Sequence, residues 1–104
     1  MERIEAMLAE APDDPFLRYG LAMEHASAGD DAGCVAVLRE LITRSAAEPY
    51  VPAYLQAGQA LARLDRTDEA AAVLREGIEA AAKVGTPDAM HARSEMLGLL
   101  ATVE

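Results

Sequence analysis

His25 and the chain's one cysteine, Cys34, form the first pair that could do chemistry. An imidazole beside a thiol can take its proton and leave a thiolate nucleophile. Such a couple also needs a third group to orient it and donors for an oxyanion, and the sequence offers neither. The plainer reading of His25 is a packed or half-buried ring hydrogen-bonded to backbone. His91 and Glu95 stand four apart, the spacing that puts two ligands on one helix face. Two ligands are too few for a structural zinc, and a solvated polar pair accounts for them. The dipeptides Asp13-Asp14 and Asp30-Asp31 fit helix capping better than calcium, which needs a longer run of alternating oxygen ligands. No Gly-rich phosphate loop, G-x-S-x-G or H-E-x-x-H is present. The expectation is a non-enzymatic protein with no catalytic residue, cofactor or metal.

Six helical segments would have to position these residues, with no convincing strand. Ile4, Met7 and Leu8 fall at helical spacing over 2–10. Pro12 to Pro15 breaks the pattern, with Asp13 or Asp14 as a cap, and a second helix runs over 15–28. Gly29 ends it and Asp30-Asp31 starts a third over 31–45. After a loop at 47–50, a fourth runs over 51–64. Asp65-Arg66-Thr67 turns into a fifth over 68–83, for which Thr67 is the expected cap, with Asp68 and Glu69 complementing the helix dipole. Gly85 closes the fifth, and Thr86-Pro87 opens a sixth.

The sequence repeats itself. Val37-Leu38-Arg39-Glu40 recurs as Val73-Leu74-Arg75-Glu76, a shift of 36. The same shift pairs Leu21-Ala22 with Ala57-Gly58, His25 with Leu61, Gly29 with Asp65, and Cys34 with Ala70. One shift thus aligns both helices of each hairpin without a gap, as in a repeat protein of helical hairpins. Small residues in the seams suit the close approach of paired helices. Gly58 with Ala70 and Ala22 with Cys34 are the expected contacts, and Gly77 is expected to pack against the last helix.

These residues resemble the tetratricopeptide repeat (TPR) family. In the second unit Tyr54, Ala57-Gly58, Leu61, Ala70, Leu74, Gly77 and Ile78 stand where the family's large and small residues fall. The first unit keeps Leu21-Ala22, His25, Gly29, Cys34, Leu38 and Leu41, but Arg18 replaces the first aromatic. The segments Pro15 to Tyr19 and Val51 to Leu55 are similar to those of small bacterial two-repeat proteins of the family. The resemblance implies an all-α, right-handed α-α superhelix of two TPR hairpins. Its expected parts are an N-terminal helix (1–12), repeat 1 (15–46), repeat 2 (51–84) and a capping helix (86–104), in one domain over 1–104.

In such an array the first helix of each hairpin lines a concave face, which implies a protein-interaction module gripping a peptide or protein segment. Here that face would carry Phe16, Tyr19 and Met23, then Leu55, Gln56, Gln59 and Arg63, then His91 and Glu95. Apolar groups interleaved with uncharged hydrogen-bonding ones suit an extended or helical peptide. The alternative for Phe16 and Tyr19 is burial against the N-terminal helix. Family members that clamp a C-terminal carboxylate use Lys and Asn on this face; Gln56, Gln59 and Arg63 do not support that role.

Composition sets the outer bounds. Alanine occurs 23 times against one Phe, three Tyr and no Trp, which favours closely packed helices over sheet. Nine basic against eighteen acidic side chains leave a net charge of −9. That charge disfavours nucleic acid and anionic membrane surfaces, and favours a basic or neutral partner. No basic stretch with an apolar run begins the sequence, no segment reaches the ~20 apolar residues of a membrane span, and Cys34 has no disulfide partner, so a cytoplasmic protein is expected. A second expectation is self-association: two repeats bury little core, and a second copy could cover the same face as a homodimer.

Overall fold

The computed structural model describes residues 1–104 and is entirely helical. The helices are α1 (Glu2–Glu10), α2 (Pro15–Ser27), α3 (Asp31–Arg44), α4 (Val51–Arg63), α5 (Thr67–Val84) and α6 (Pro87–Val103). None is long and apolar enough to cross a membrane.

Local chemistry sets most of the boundaries. Asp14 Oδ1 accepts from the amides of Phe16 (3.0 Å) and Leu17 (3.4 Å), with Pro15 in the first turn of α2. Asp30 Oδ1 accepts from Gly33 N at 2.9 Å, and Thr86 Oγ1 from Ala89 N at 3.1 Å. Helix α5 departs from expectation. Thr67 is its first helical residue rather than its cap, and Arg66 occupies the cap position without a side-chain cap bond. The reason is the preceding turn, which is the same in both hairpins. After α2, Gly29 N donates to Ala26 O and Asp30 N to His25 O; after α4, Asp65 N donates to Ala62 O and Arg66 N to Leu61 O. This is the Schellman arrangement, which needs a left-handed residue just beyond the helix. Gly29 takes it at φ 80° and Asp65 at φ 59°. The following residue, Asp30 or Arg66, then becomes the cap. In place of a capping oxygen, the Arg66 guanidinium holds Glu69 through Nε at 2.5 Å, and Arg39 reaches the same carboxylate at 3.0 Å.

Each helix packs against the next in sequence, and α6 also reaches back to α4. The core is centred on the second hairpin. Helix α4 buries eight residues and α5 seven, whereas α1 and α2 bury only Leu8 and Ala22. The largest fully buried side chains are Leu38, Leu41, Leu61, Leu74, Met96 and Cys34.

Glycine allows two close approaches. A Cβ on Gly58 would lie 2.7 Å from Leu74 Cγ, so the side chain nearest to it on α5 is Leu74, one turn beyond Ala70. A Cβ on Gly77 would lie 2.5 Å from Tyr54 Cβ and 2.6 Å from Met96 Sδ. Gly77 therefore sits where α4, α5 and α6 meet, and its expected contact with the last helix is found together with one to α4. At the other end α1 leans on α2, with Ile4 Cδ1 3.4 Å from the place of a Cβ on Gly20.

Candidate partner-binding face

Helices α2, α4 and α6 carry the residues that sequence reasoning assigned to a binding face. On α2, Phe16 is 71% exposed and is not covered by α1. Tyr19 and Met23 are half-buried and pack against the core. The Tyr19 ring faces Tyr50, just before α4, with centroids 5.3 Å apart and planes tilted by 42°. Burial, then Tyr50, push the Tyr19 hydroxyl above its ordinary pKa, while the Gln56 side chain acts the other way. Tyr19 and Tyr50 thus form one pair linking α2 to the start of α4. Sequence reasoning left Tyr50 in a loop, and the only signal for it was an aromatic residue directly before a helix start.

The α4 residues divide. Leu55 is 8% exposed and belongs to the core, so it offers little surface. Gln56 and Gln59 are half-buried, and Arg63 is exposed. The Arg63 guanidinium is held by Asp31 at the start of α3, through Nε at 3.0 Å. On α6, His91 Nε2 lies 3.5 Å from Glu95 Oε1, and the His91 side chain is 79% exposed. That is a solvated pair at one end of the face. The structure thus sets Tyr19 against Tyr50, pairs Arg63 with Asp31 outside the assigned set, and pairs His91 with Glu95 within it.

His25 and Cys34 do not form a couple. His25 Nδ1 is 3.0 Å from Asp30 Oδ2, so the ring is held by a carboxylate rather than by backbone. The Asp30 carboxyl is held below its usual pKa, first by the Gly33 amide and then by His25. Cys34 is completely buried, and burial pushes its thiol above the ordinary value, with Arg63 opposing. A buried thiol held protonated is a poor nucleophile. Its role is volume, in the seam position where the second hairpin has Ala70.

No protein-family model matches the chain, and no curated protein matches it in sequence. Solved structures do. The solution structure of a tetratricopeptide repeat domain protein from Salinibacter ruber is 35% identical, with 89% of each chain covered and a TM-score of 0.76. A crystal structure of a tetratricopeptide repeat domain protein from the same organism is 34% identical over 86% of this chain and 94% of that one, with a TM-score of 0.75.

Proposed function

The chain belongs to the tetratricopeptide repeat family, a scaffold of protein-interaction modules in general, and from that membership we propose that it docks a peptide or protein segment along α2, α4 and α6. The observation that carries this reading is Phe16, the chain's one phenylalanine and its most exposed large apolar side chain, on the same helix as half-buried Tyr19 and Met23. A ring left in water next to part-covered apolar neighbours is the form of a binding hot spot. Gln56 and Gln59 give the neighbouring helix uncharged donors and acceptors that a peptide backbone can use. The net charge of −9 selects a basic or neutral segment. No catalytic role is assigned to any residue.

The test is capture by crosslinking from cells, comparing the natural chain with Phe16→Ala and Tyr19→Ala. Both variants should fold, since neither residue is fully buried, and both should lose the captured protein. Retention of the same partner by both variants overturns the reading.

The same exposed ring supports a second reading, a homodimer closed over Phe16. Light scattering separates the two. A dimeric mass lost in Phe16→Ala favours self-association, and a monomeric mass at tens of micromolar removes it.

A further inference from the structure

Three helices begin at the same point of the 36-residue period: α2 at Pro15, α4 at Val51 and α6 at Pro87. Helix α6 is therefore the first helix of a third unit, in register with the other two. In the second unit, α5 covers one side of α4. A Cβ on Gly58 would meet Leu74, and a Cβ on Gly77 would meet Tyr54, while Leu61 is fully buried. The same shift carries Tyr54 to Met90, Gly58 to Ser94, Leu61 to Leu97 and Asp65 to Ala101. Helix α6 packs on α5 and α4, and this side of it is bare. Met90 is 41% and Leu97 42% exposed, and Ser94 and Ala101 are exposed as well.

A helix that closes a repeat array normally turns a polar side to water. The bare side of α6 does not. Met90, Ser94, Leu97 and Ala101 are spaced four, three and four apart, an uncharged seam of the kind along which two helices zip together. The chain carries a net charge of −9, yet no carboxylate stands in this seam. Glu95 lies beside His91, and Glu104 is held by Arg75.

We propose that the α6 seam pairs with the same seam of a second copy, antiparallel, to form a weak twofold dimer. Shape selects this occupant. Antiparallel pairing about a twofold axis lays Met90 over the partner's Ala101 and Leu97 over the partner's Ser94. Each large side chain then meets a small one, as Leu74 meets Gly58 inside the chain. Parallel pairing would set large on large and leave gaps at the small positions. Charge agrees: a basic segment finds no carboxylate here, whereas an uncharged seam finds its match in another copy. Antiparallel helices also oppose their dipoles favourably.

Area sets the strength. A helix of 17 residues is about 25 Å long and about 10 Å wide. Pairing two such sides removes on the order of 1,000 Å² from water, the low end of specific interfaces. The dissociation constant should be on the order of 100 µM or weaker. His91 and Glu95 lie on another side of α6, so this contact depends neither on the peptide face nor on a dimer closed over Phe16.

The test is sedimentation equilibrium of the full chain from about 20 µM to about 2 mM, a range that brackets such a constant. The average mass should climb from 11.0 kDa towards twice that value. Leu97→Glu and Met90→Glu should each hold it at the monomer, and Phe16→Ala should leave the climb unchanged. All three residues are exposed, so the variants should fold, which circular dichroism checks. Orientation is read separately. A nitroxide on Ala101→Cys, in a Cys34→Ala background, should broaden the Met90 amide signal of an isotope-labelled second copy. A natural chain still monomeric at about 2 mM overturns the proposal and leaves the seam to a helix of another protein. An unchanged climb in both glutamate variants, or broadening at Ala101 in place of Met90, also overturns it. Loss of the dimer in Phe16→Ala alone overturns it in favour of closure over Phe16.

Discussion

Gly77→Ala puts the three-helix junction to the test. The added Cβ would stand 2.5 Å from Tyr54 Cβ and 2.6 Å from Met96 Sδ. Carbon atoms in good contact sit about 3.5–4.0 Å apart, so the methyl is about 1 Å too close on two sides. Tyr54 Cβ is fixed to the α4 backbone and cannot rotate away. Met96 is flexible but fully buried, so it has no free space to enter. Alanine in place of glycine favours a helix by about 1 kcal/mol. Overpacking costs about 1–3 kcal/mol, and with close contacts on two sides the upper part of that range, about 2–3 kcal/mol, applies, for a net loss of about 1–2 kcal/mol. At about 4–8 °C per kcal/mol for a chain of this size, Tm should fall by roughly 5–15 °C. Gly98→Ala in α6 is the matched control. Nothing lies within 4 Å of its added Cβ, so propensity acts alone and Tm should rise by a few degrees. Thermal unfolding followed by circular dichroism reads both. If Gly77→Ala raises Tm as Gly98→Ala does, α4, α5 and α6 do not meet as described.

Asp65→Gly should stabilise the chain by about 0.5–1 kcal/mol in urea unfolding, since it relieves a left-handed non-glycine residue, whereas Gly29→Ala should destabilise by about 1 kcal/mol. Native Cys34 should react with a thiol reagent only as fast as the protein opens, so prompt stoichiometric labelling would contradict its burial. In alkali, burial raises the folded Cys34 thiol above its reference value of 9.0 and the three tyrosines above 10.0. Stability is then complete below pH 9 and falls as pH rises through the folded values, and Cys34→Ala should flatten the first part of that loss in a Tm-against-pH profile. In acid the sign reverses. Asp30, Glu40 and Glu69 are held low by Gly33, Arg44 and Arg66 respectively, so stability is present above the ordinary carboxylate range and should drop as pH falls through it.

The helices were legible because their punctuation is local. Asp14, Asp30, Thr86 and Gly85 act within a few residues of themselves, and spacing is enough to find them. The repeat was legible because one ungapped shift preserves both helices of a hairpin. Thr67 was misread because its hydroxyl was weighed alone, although moving Asp30 along by the same 36 residues lands on Arg66. Leu55 counted as surface because the resemblance puts the first helix of each hairpin on the concave side. It is covered because α4 has neighbours on three sides, and a tertiary surround leaves no trace in the period of one helix. Tyr50 was missed for a related reason. Its meaning lies in Tyr19, on another helix.

The lopsided burial has a consequence for how the molecule breathes. Amide protons of α4 and α5, anchored by fifteen buried residues between them, should exchange with solvent at rates near those of global opening, while α1 and α2, with one each, open far more often. Phe16 and Tyr19 ride on the loosely tethered α2. Whatever seizes them must first quiet that edge, so occupancy and local order rise together, and part of the attraction is spent on stilling a helix.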